Sequence, residues 1–495
     1  MLNKIVWKFD ILIYKLFRWR WNEKFKNNSP LNGMNLKLMK FYLPLLLKVL
    51  NKFLINNNEQ ALNKINKIVE NKIEIVQKQI DSKESIIEKL KNIHQTVSEL
   101  LLDLIKQIIP YLVTGIASYK ILEKLLANEQ GDNQLVQKLM SGLKGNITTE
   151  MGLKIGDIAD MLRGKEELIK VLKNKPADQA FDLIKEKGDS KLKETIDKFF
   201  MKYGMRGIGE IDITNKRYID DPKPILSSIL NNLETYNNSG EHRKKYEQLT
   251  IEAEKAAEEI VKMMRDSRFG WIKAVVTKKL IRNIRNMMPL REHPKYTIVN
   301  CFQIYKKVLL EAGQKLKEKN IVDEEQDIYY LSLTEIIKAL EINKNFKDII
   351  KRRKKDFIND KKLTPPRVIT SEGEIIKGSY QKNDNENIIV GSPVSSGVVE
   401  GKAKVVHNPD NANLKKGDIL VVPFTDPGWT PLFINAAGLV MEVGGLMTHG
   451  AVVAREYGIP AVVGVNKATE IIKDGDKTRL DGDLGTIEKI DNIKK

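Results

Sequence analysis

Apolar residues between positions 58 and 360 recur at the three- and four-residue spacing that marks one face of an α-helix. This spacing predicts helices over the following segments: Leu62–Ile80, Leu100–Ile116, Asp157–Leu172, Asp178–Phe200, Lys244–Asn286 and Thr297–Lys319. Runs typical of β-strands are scarce in this part of the sequence. Residues 58–360 are therefore predicted to form a large, mostly α-helical domain.

The pattern changes after residue 387 to short β-rich runs separated by Gly and Pro, with only two helical candidates. The runs that predict strands are Val398–Val399, Lys404–Val406, Ile419–Phe424, Gly438–Val443 and Ala461–Val465. A polar stretch at 361–387, which includes Thr364-Pro365-Pro366, is typical of a linker. The predicted fold class is therefore α+β multidomain, with a second, compact domain at 388–495.

The N-terminal residues 1–57 combine bases with aromatic side chains. They carry 11 basic and 2 acidic residues, half of the net charge of +18, whereas residues 388–495 are close to neutral. Such a segment suits contact with an anionic membrane surface or docking of a partner. It suits equally a basic helix pair that packs on the following domain. No nucleic-acid-binding motif supports a nucleic acid partner.

The composition narrows the class of protein. A hydrophobic share of 42% in 495 residues is enough for real cores. The single cysteine, Cys301, excludes a disulfide framework and a cysteine-based metal site, which indicates the reducing cytoplasm. The most apolar run, Phe41–Leu47, ends at Lys48, and a membrane-spanning helix needs about 20 such residues. Charges interrupt the first apolar stretch, so a secretory signal and a membrane span are both unexpected.

Among the five histidines, His449 has the setting of a reactive group. Gly444 and Gly445 follow a β run and allow a tight turn, Thr448 is a candidate N-cap, and a short helix follows up to Gly458 and Pro460. The free N–H groups at a helix start favour a neutral imidazole, which is a nucleophile, and favour an anionic phosphoryl group. A histidine that only caps a glycine turn is the structural alternative.

Several motifs occur in a fixed order around His449: Gly391–Gly397, Gly401-Lys402-Ala403, Thr425–Pro431, Gly444–Pro460 and Ala461–Gly464. Over about 390–490 this order resembles the phosphohistidine swivelling domain, a β/β/α domain, of the phosphoenolpyruvate synthase and pyruvate phosphate dikinase family. The resemblance implies that His449 is phosphorylated from ATP and carries the phosphoryl group to a second site. It also implies that Gly444, Gly445, Thr448 and Gly450 support the phosphate, although Gly450 stands where the family usually has Ala.

The helical part looks like the acceptor-binding domain of rifampicin phosphotransferases. The residues that carry this resemblance are Asn146–Gly152, Tyr203–Asp212 and Arg291–Lys295, with Asp323–Leu333 and Pro365-Pro366 in agreement. The resemblance spans about 60–495, nearly the whole chain. Met205 departs from it, since the family usually has His there.

This resemblance implies that Arg291 and Lys295 lie near the acceptor hydroxyl and the incoming phosphoryl group, where positive donors stabilise the transition state. A solvated basic turn is the alternative for both. His293 between them is either a base for the hydroxyl or an exposed spacer. Arg206, Glu210 and Asp212 form a possible polar cluster in an irregular, glycine-rich segment, or a purely structural salt-bridge turn.

The same family normally begins with an ATP-grasp domain, and the 57 residues before the helical domain contain neither a phosphate loop nor an acidic magnesium cluster. The expected function is therefore a phosphotransferase subunit, with no metal site of its own. A separate ATP-grasp polypeptide would hold ATP and Mg²⁺, and the acceptor would be a small apolar molecule such as a rifamycin-like or other natural product. The alternatives are a non-catalytic apolar-ligand or membrane-surface binding protein, and a phosphoenolpyruvate synthase-like phosphocarrier.

Overall fold

The computed structural model describes residues 47–49, 51–52, 60–128, 133–363, 369–374, 388–407, 412, 414–426, 429–433, 436–445 and 448–490. Most of the basic N-terminal segment 1–57 and most of the linker 361–387 lie outside the described residues. The predictions made for these two segments therefore stay predictions.

Helices make up the first part of the fold. Ser85, Asn146, Asp189 and Ser332 cap their helices by accepting hydrogen bonds from first-turn amides. The helices are α1 Ala61–Asp81, α2 Ile86–Gln107, α3 Ile109–Asn128, α4 Asn133–Lys138, α5 Ile147–Leu162, α6 Glu166–Asn174, α7 Ala177–Lys187, α8 Ser190–Tyr203, α9 Lys223–Thr235, α10 Glu241–Asp266, α11 Gly270–Met287, α12 His293–Glu318, α13 Leu333–Ile342 and α14 Lys347–Asp360. Two 3₁₀ segments, Met288–Glu292 and Glu325–Tyr330, lie among them.

The helical class is confirmed, but four of the long predicted helices are wrong in extent because each is interrupted. Leu100–Ile116 divides before Pro110, which lacks a backbone N–H to continue the helix. Asp157–Leu172 divides at Gly164 and Asp178–Phe200 divides at Gly188. Lys244–Asn286 reverses direction between Asp266 and Gly270.

The reversal before α11 is fixed by its backbone. Phe269 adopts a left-handed conformation with φ of 60°, and a side chain at Gly270 would overlap the Arg265 carbonyl oxygen. The apolar pattern continues through this hairpin because both helices use the same core. Periodicity alone therefore does not reveal the break.

Three apolar cores hold the helices together. The first joins α1, α2 and α12, the second joins α5 to α9, and the third joins α3, α4, α10 and α11. Within the 3₁₀ segment, Met288 is buried in the third core and Leu290 in the first, so two different cores hold the segment. This packing positions Arg291 and Glu292, the last two residues of the segment.

The C-terminal part is built on one eight-stranded sheet with the order β1-β8-β7-β3-β4-β5-β6-β2. Strands β3, β4, β5 and β6 run parallel to one another, with Leu420 opposite Leu439 and Val440 opposite Val462, whereas β7 pairs antiparallel with β3 and β2 pairs antiparallel with β6. The elements are β1 Ile388–Val390, β2 Ser392–Ser395, β3 Val398–Val405, β4 Ile419–Val422, α15 Thr430–Phe433, β5 Gly438–Met441, α16 His449–Tyr457, β6 Ala461–Val463, α17 Ala468–Ile471, β7 Lys477–Asp481 and β8 Thr486–Lys489.

The α+β fold class is confirmed, and the sequence missed part of the sheet. Val398–Val399 and Lys404–Val406 lie in one strand, β3, rather than in two. The strands β1, β2, β7 and β8 are not among the predicted ones, because they are short and, in the case of β7, alternate between exposed and buried residues. Three short helices are present in place of the two expected.

In the part of the chain that the structure describes, no single helix has the length and apolar character to cross a membrane. The bent pair Ile86–Gln107 and Ile109–Ala127 meets the criterion by length and composition alone.

Candidate active site

His449 is the first residue of α16, as its sequence setting predicts. The buried strand β5 ends at Met441, and Thr448 occupies the N-cap position. The Thr448 hydroxyl donates to the Gly445 carbonyl oxygen at 2.8 Å and accepts from the Gly445 amide at 3.3 Å. Thr448 therefore closes the glycine turn with its side chain and leaves the first-turn amides of α16 without a side-chain cap. Those amides and the helix dipole favour an anion next to His449.

Gly450, next to the histidine, is required by packing. A Cβ atom at this position would lie 2.6 Å from the Met441 sulfur and would overlap the Thr425 hydroxyl. Met441 is 1% exposed, so its side chain can shift only if its neighbours repack. The glycine at this position thus lets α16 start against the end of β5.

The imidazole of His449 faces Glu292 of the helical part. Its Nδ1 atom lies 3.7 Å from Glu292 Oε1, and the two side chains are 9% and 6% exposed. A carboxylate on the Nδ1 side favours the tautomer with a proton on Nδ1, which leaves Nε2 with its lone pair. This arrangement suits Nε2 for attack on phosphorus.

A buried ion-pair network supports Glu292 from behind. Arg206 Nε and Nη2 donate to the two carboxylate oxygens of Glu210 at 2.6 and 3.0 Å, and both side chains are fully buried. Arg206 Nη2 also lies 4.0 Å from Glu292 Oε2. Lys295 Nζ lies 3.2 Å from Glu210 Oε1. The network thus reaches from the irregular segment after α8 to the start of α12.

Arg291 and Lys295 both pair with carboxylates of this network, although they lie on different elements. Arg291 belongs to the 3₁₀ segment and pairs with Glu292 at 2.5 Å. Lys295 belongs to the first turn of α12, which starts at His293. Their side chains are 21% and 29% exposed, so both retain access to solvent or substrate. Counting Arg206 as well, three cations face two carboxylates. The site therefore carries one net positive charge when His449 is neutral.

The local electrostatics fix the charge states of the facing pair. Burial lowers the pKa of His449 and outweighs the opposing effect of Glu292, so the imidazole is neutral at physiological pH. Burial alone would raise the pKa of Glu292, but His449, Arg291 and Arg206 together hold it well below its usual range. Glu292 is therefore an ionised carboxylate beside a neutral imidazole.

Two other candidates are placed differently from what the sequence suggests. His293 is 1% exposed, and its Nε2 atom lies 3.1 Å from Asn66 Oδ1, so the expectation of an exposed spacer is wrong. Asp212 is exposed and accepts hydrogen bonds from Thr214, so the structure does not bring it to the network with Arg206 and Glu210. The reason is that the segment turns between Glu210 and Asp212 and directs only the earlier residues inward.

Glu292 and Glu456 are the residues that the sequence reasoning missed. Glu292 lies inside the Arg291–Lys295 motif, and a carboxylate between two cations is the signal that was available. Glu456 lies on α16 at the surface between the two parts of the fold, and its Oε2 accepts from the Leu143 amide at 3.3 Å. Burial raises the pKa of Glu456 to about 8 despite the Leu143 amide and the nearby Arg455, Arg285 and Arg291.

We expect the docking between the two parts of the fold to depend on pH through Glu456. When α16 is undocked this carboxyl has an ordinary pKa near 4.5, so docking takes up a proton between about pH 5 and pH 8. Docking should weaken as the pH rises through this window. Glu456→Gln should abolish the dependence, because the neutral amide still accepts from Leu143.

Energy transfer between dyes on the exposed residues 170 and 473, measured from pH 5 to 8 in parallel with a Glu442→Gln control, reports this docking. An unchanged pH slope in Glu456→Gln would contradict the assignment.

Further contacts hold the sheet domain, which carries His449, against the helical part. Gly209 donates its backbone N–H to Asp426 Oδ2 at 2.6 Å, Lys416 donates to the Thr235 carbonyl oxygen at 3.0 Å, and Ser396 donates to Gln137 at 3.2 Å. Two of these bonds are part-buried and the Lys416 bond is exposed. Polar contacts of this kind are typical of interfaces between domains of one chain.

A cavity of about 490 Å³ lies beside the site, between the irregular segment after α8 and the sheet domain. Gly207, Arg217 and Tyr218 form one wall, and Phe424, Asp426 and Trp429 form the other. Phe424 and Asp426 flank Thr425, which contacts Gly450 beside His449. The cavity thus has the size, aromatic lining and position of a small-molecule site.

No group of three or more His, Cys, Asp or Glu side chains in the described ranges is placed to hold a metal ion.

Comparisons with known proteins agree with the two-part architecture. A family model described as the fourth domain of rifampicin phosphotransferase matches residues 107–292, and one described as the mobile domain of PEP-utilising enzymes matches residues 414–485. The chain is 43% identical over 435 residues to the rifampicin phosphotransferase of Bacillus cereus, an alignment that covers 85% of this chain and 50% of that protein. It is also 43% identical over 436 residues to the protein of that name from Bacillus subtilis, covering 85% and 50%, and 39% identical over 360 residues to that from Streptomyces sviceus, covering 72% and 41%. The chain thus spans about half the length of the curated relatives it matches.

Proposed function

Because the chain belongs to the rifampicin phosphotransferase family, we propose that it is a phosphotransferase subunit whose His449 carries a phosphoryl group to a hydroxyl of an apolar acceptor. The acceptor class is a rifamycin-like or other natural product. One observation carries the proposal: the neutral His449 imidazole is docked against ionised Glu292, with Arg291 and Lys295 beside it.

In the first step the lone pair of His449 Nε2 attacks phosphorus. A bond forms between Nε2 and phosphorus as the bond from phosphorus to the nucleotide oxygen breaks, and the nucleotide oxygen takes the electron pair. The proton on Nδ1 stays directed at Glu292, whose negative charge stabilises the positive charge that develops on the ring. The first-turn amides of α16 face the phosphoryl oxygens.

In the second step the acceptor hydroxyl oxygen attacks phosphorus, and the bond from phosphorus to Nε2 breaks to return neutral His449. Arg291 and Lys295 lie where they can neutralise the equatorial oxygens in the loose transition state. The hydroxyl keeps its proton until the new bond is largely formed, so no strong base is needed, and the proton then passes to water.

The donor would be ATP held by a separate ATP-grasp polypeptide, with Mg²⁺ travelling with the nucleotide. Resemblance to the family implies that the β-phosphate is transferred and that AMP and inorganic phosphate remain. The bond between the β- and γ-phosphates therefore also breaks, and water takes the γ-phosphoryl group as inorganic phosphate. The contribution proposed for this chain is to carry the phosphoryl group, to orient it and to bind the acceptor.

The acceptor would occupy the cavity beside Trp429 and Phe424. Phe424 and Trp429 offer apolar contact there, and Lys216 and Asp221 in the same lining offer charged groups that fix orientation. A molecule in this cavity lies next to Thr425 and so next to the start of α16. A hydroxyl presented from it would meet the phosphoryl group on His449.

The proposal is tested by joining this chain to a donor and a stated acceptor. The donor is the half of the Bacillus cereus relative that this chain does not match, supplied with ATP and Mg²⁺, and the acceptor is rifampicin. Mass spectrometry should show rifampicin with one added phosphoryl group. Tight rifampicin binding without this product, while His449 becomes labelled, would contradict rifampicin as the acceptor.

We expect Glu292→Gln to slow phosphoryl transfer by about 100-fold, because the amide keeps the shape but removes the charge that fixes the imidazole tautomer. The acceptor cavity is untouched, so the effect should fall on kcat and leave KM unchanged. Single-turnover kinetics of product formation measure it, with the exposed Glu259→Gln as the matched control. A Glu292→Gln rate within a factor of about two of the control would show that the carboxylate has no positioning role.

A further inference from the structure

The hairpin between α10 and α11 ends in an apolar tip that the rest of the described chain leaves uncovered. Trp271 is 74% exposed, Val275 is 65% exposed and Phe269 is 63% exposed. Ile272 and Val276 lie beside them on the same first two turns of α11 and are also exposed. Five large apolar side chains within eight residues make a contiguous patch, which is unusual on a protein surface and marks an interaction site.

A ring of cations lies behind this tip. Lys262 and Arg265 of α10 and Lys278 and Arg282 of α11 line a groove of about 440 Å³ whose floor is apolar and whose one acid is Glu258. Lys278 follows Trp271 by seven residues on α11, a distance of about 10 Å along the helix. The hairpin thus presents apolar side chains at its end and positive charge that extends from Arg265, close to the tip, to Arg282, about 16 Å beyond Trp271.

The remaining charges at the tip are already engaged. Lys273 donates to the Ser267 hydroxyl at 3.1 Å, and the Arg268 guanidinium lies over the Phe269 ring at 5.2 Å. Arg268 and Asp266 offset each other in charge. The tip itself is therefore close to neutral, and the excess positive charge belongs to the ring of four behind it.

We propose that this hairpin tip docks on an anionic phospholipid surface. The apolar tip would enter the boundary between head groups and acyl chains, to the depth of about 5–10 Å that interfacial helices reach. At that depth Lys262 and Lys278 stand near the level of the lipid phosphates, Arg265 lies closer to the tip and Arg282 lies farther out, within reach of the negative surface potential. An aromatic and aliphatic tip with cations spread along the helices behind it matches an anionic bilayer in both polarity and charge.

Charge argues against the other occupants available within the chain. A second copy would bring two cationic rings together. The N-terminal residues 1–57 carry 11 basic and 2 acidic residues, so they would be repelled from this ring. A polypeptide with an acidic, apolar surface would also be complementary in charge to this ring. The experiment below distinguishes such a polypeptide from a lipid surface.

Docking at the tip leaves the phosphoryl site free. Arg291 lies twenty residues beyond Trp271 at the far end of the same helix and 3₁₀ segment, about 30 Å away. The sheet domain contacts α10 near Leu249, thirteen residues before Lys262 and so about 20 Å from this cation along the helix. His449 can therefore leave Glu292 and return while the tip is bound.

The test is co-sedimentation of the full chain with phosphatidylcholine vesicles, with and without phosphatidylserine, at two salt concentrations. Wild type should bind only the phosphatidylserine vesicles and less at high salt. Trp271→Ala and Lys278→Glu should each weaken this partition by about tenfold, whereas Met201→Ala, which removes an equally exposed apolar side chain on α8, should not.

Three outcomes would overturn the proposal. The first is unchanged vesicle binding in Trp271→Ala and Lys278→Glu, and the second is equal binding to vesicles without phosphatidylserine. The third is that the chain does not bind vesicles but associates with itself, or with the unmatched half of the Bacillus cereus relative, and that Trp271→Ala removes this association. Circular dichroism of each variant confirms that the helices are intact.

Discussion

His449→Ala is expected to lower phosphoryl transfer to the acceptor by at least about 10⁴-fold, because it removes the atom that bonds to phosphorus. The helix around it should survive, since its first turn is held by the Thr448–Gly445 hydrogen bonds and by packing of Ala451 and Val453 on the sheet. The loss should therefore be chemical rather than structural. Product formation measured with donor, ATP and acceptor in excess gives the rate.

His94→Ala is the matched control for this change, because His94 is an exposed histidine on α2 far from the site. Its rate should equal that of wild type. Acceptor binding, measured by calorimetry, should be the same in all three proteins, since His449 is not part of the cavity lining. Substantial turnover in His449→Ala would mean that the phosphoryl group passes directly from donor to acceptor.

Arg206→Met is expected to lower the free energy of unfolding of the helical part by about 3–5 kcal/mol. Arg206 and Glu210 are fully buried and bonded through two nitrogen–oxygen contacts, so the change leaves a buried carboxylate with Lys295 as its remaining side-chain partner. Urea unfolding followed by circular dichroism measures the difference. The activity should fall as well, because Arg206 faces Glu292.

Two further variants separate charge pairing from the loss of a large side chain. The double variant Arg206→Met with Glu210→Leu should recover much of the stability, because no unpaired charge remains buried. Lys198→Met breaks the exposed pair with Glu194 and should change stability by about 0.5 kcal/mol or less. If Arg206→Met costs no more than Lys198→Met, the buried network does not hold the site together.

Much of the fold follows from periodicity, and its breaks do not. The spacing of apolar residues places α1 and α12 closely, since each has one face on the first core. The same spacing runs through the hairpin at Phe269, because both of its helices line the third core and the turn is made by backbone geometry. Edge strands such as β1 and β8 carry too few residues for a pattern of their own.

The site divides in a similar way. The turn, the N-cap position and the helix after His449 are local features, so the sequence predicts them. The facing of His449 and Glu292 depends on docking between distant parts of the chain, and so does the bond between Gly209 and Asp426, which are 217 residues apart. Local propensity does not encode such contacts. The sequence therefore does not predict a role for Glu292, although this residue adjoins Arg291.

The most direct test of the central claim is the site of the phosphoryl group on this chain. The full chain is incubated with the unmatched half of the Bacillus cereus relative and ATP labelled at the β-phosphate, without acceptor, and then digested and mapped by mass spectrometry. We predict an acid-labile phosphoryl group on His449 that is lost when acceptor is added and is absent from His449→Ala. Label on another residue, or none on His449 from a donor shown to bind ATP, would contradict the account.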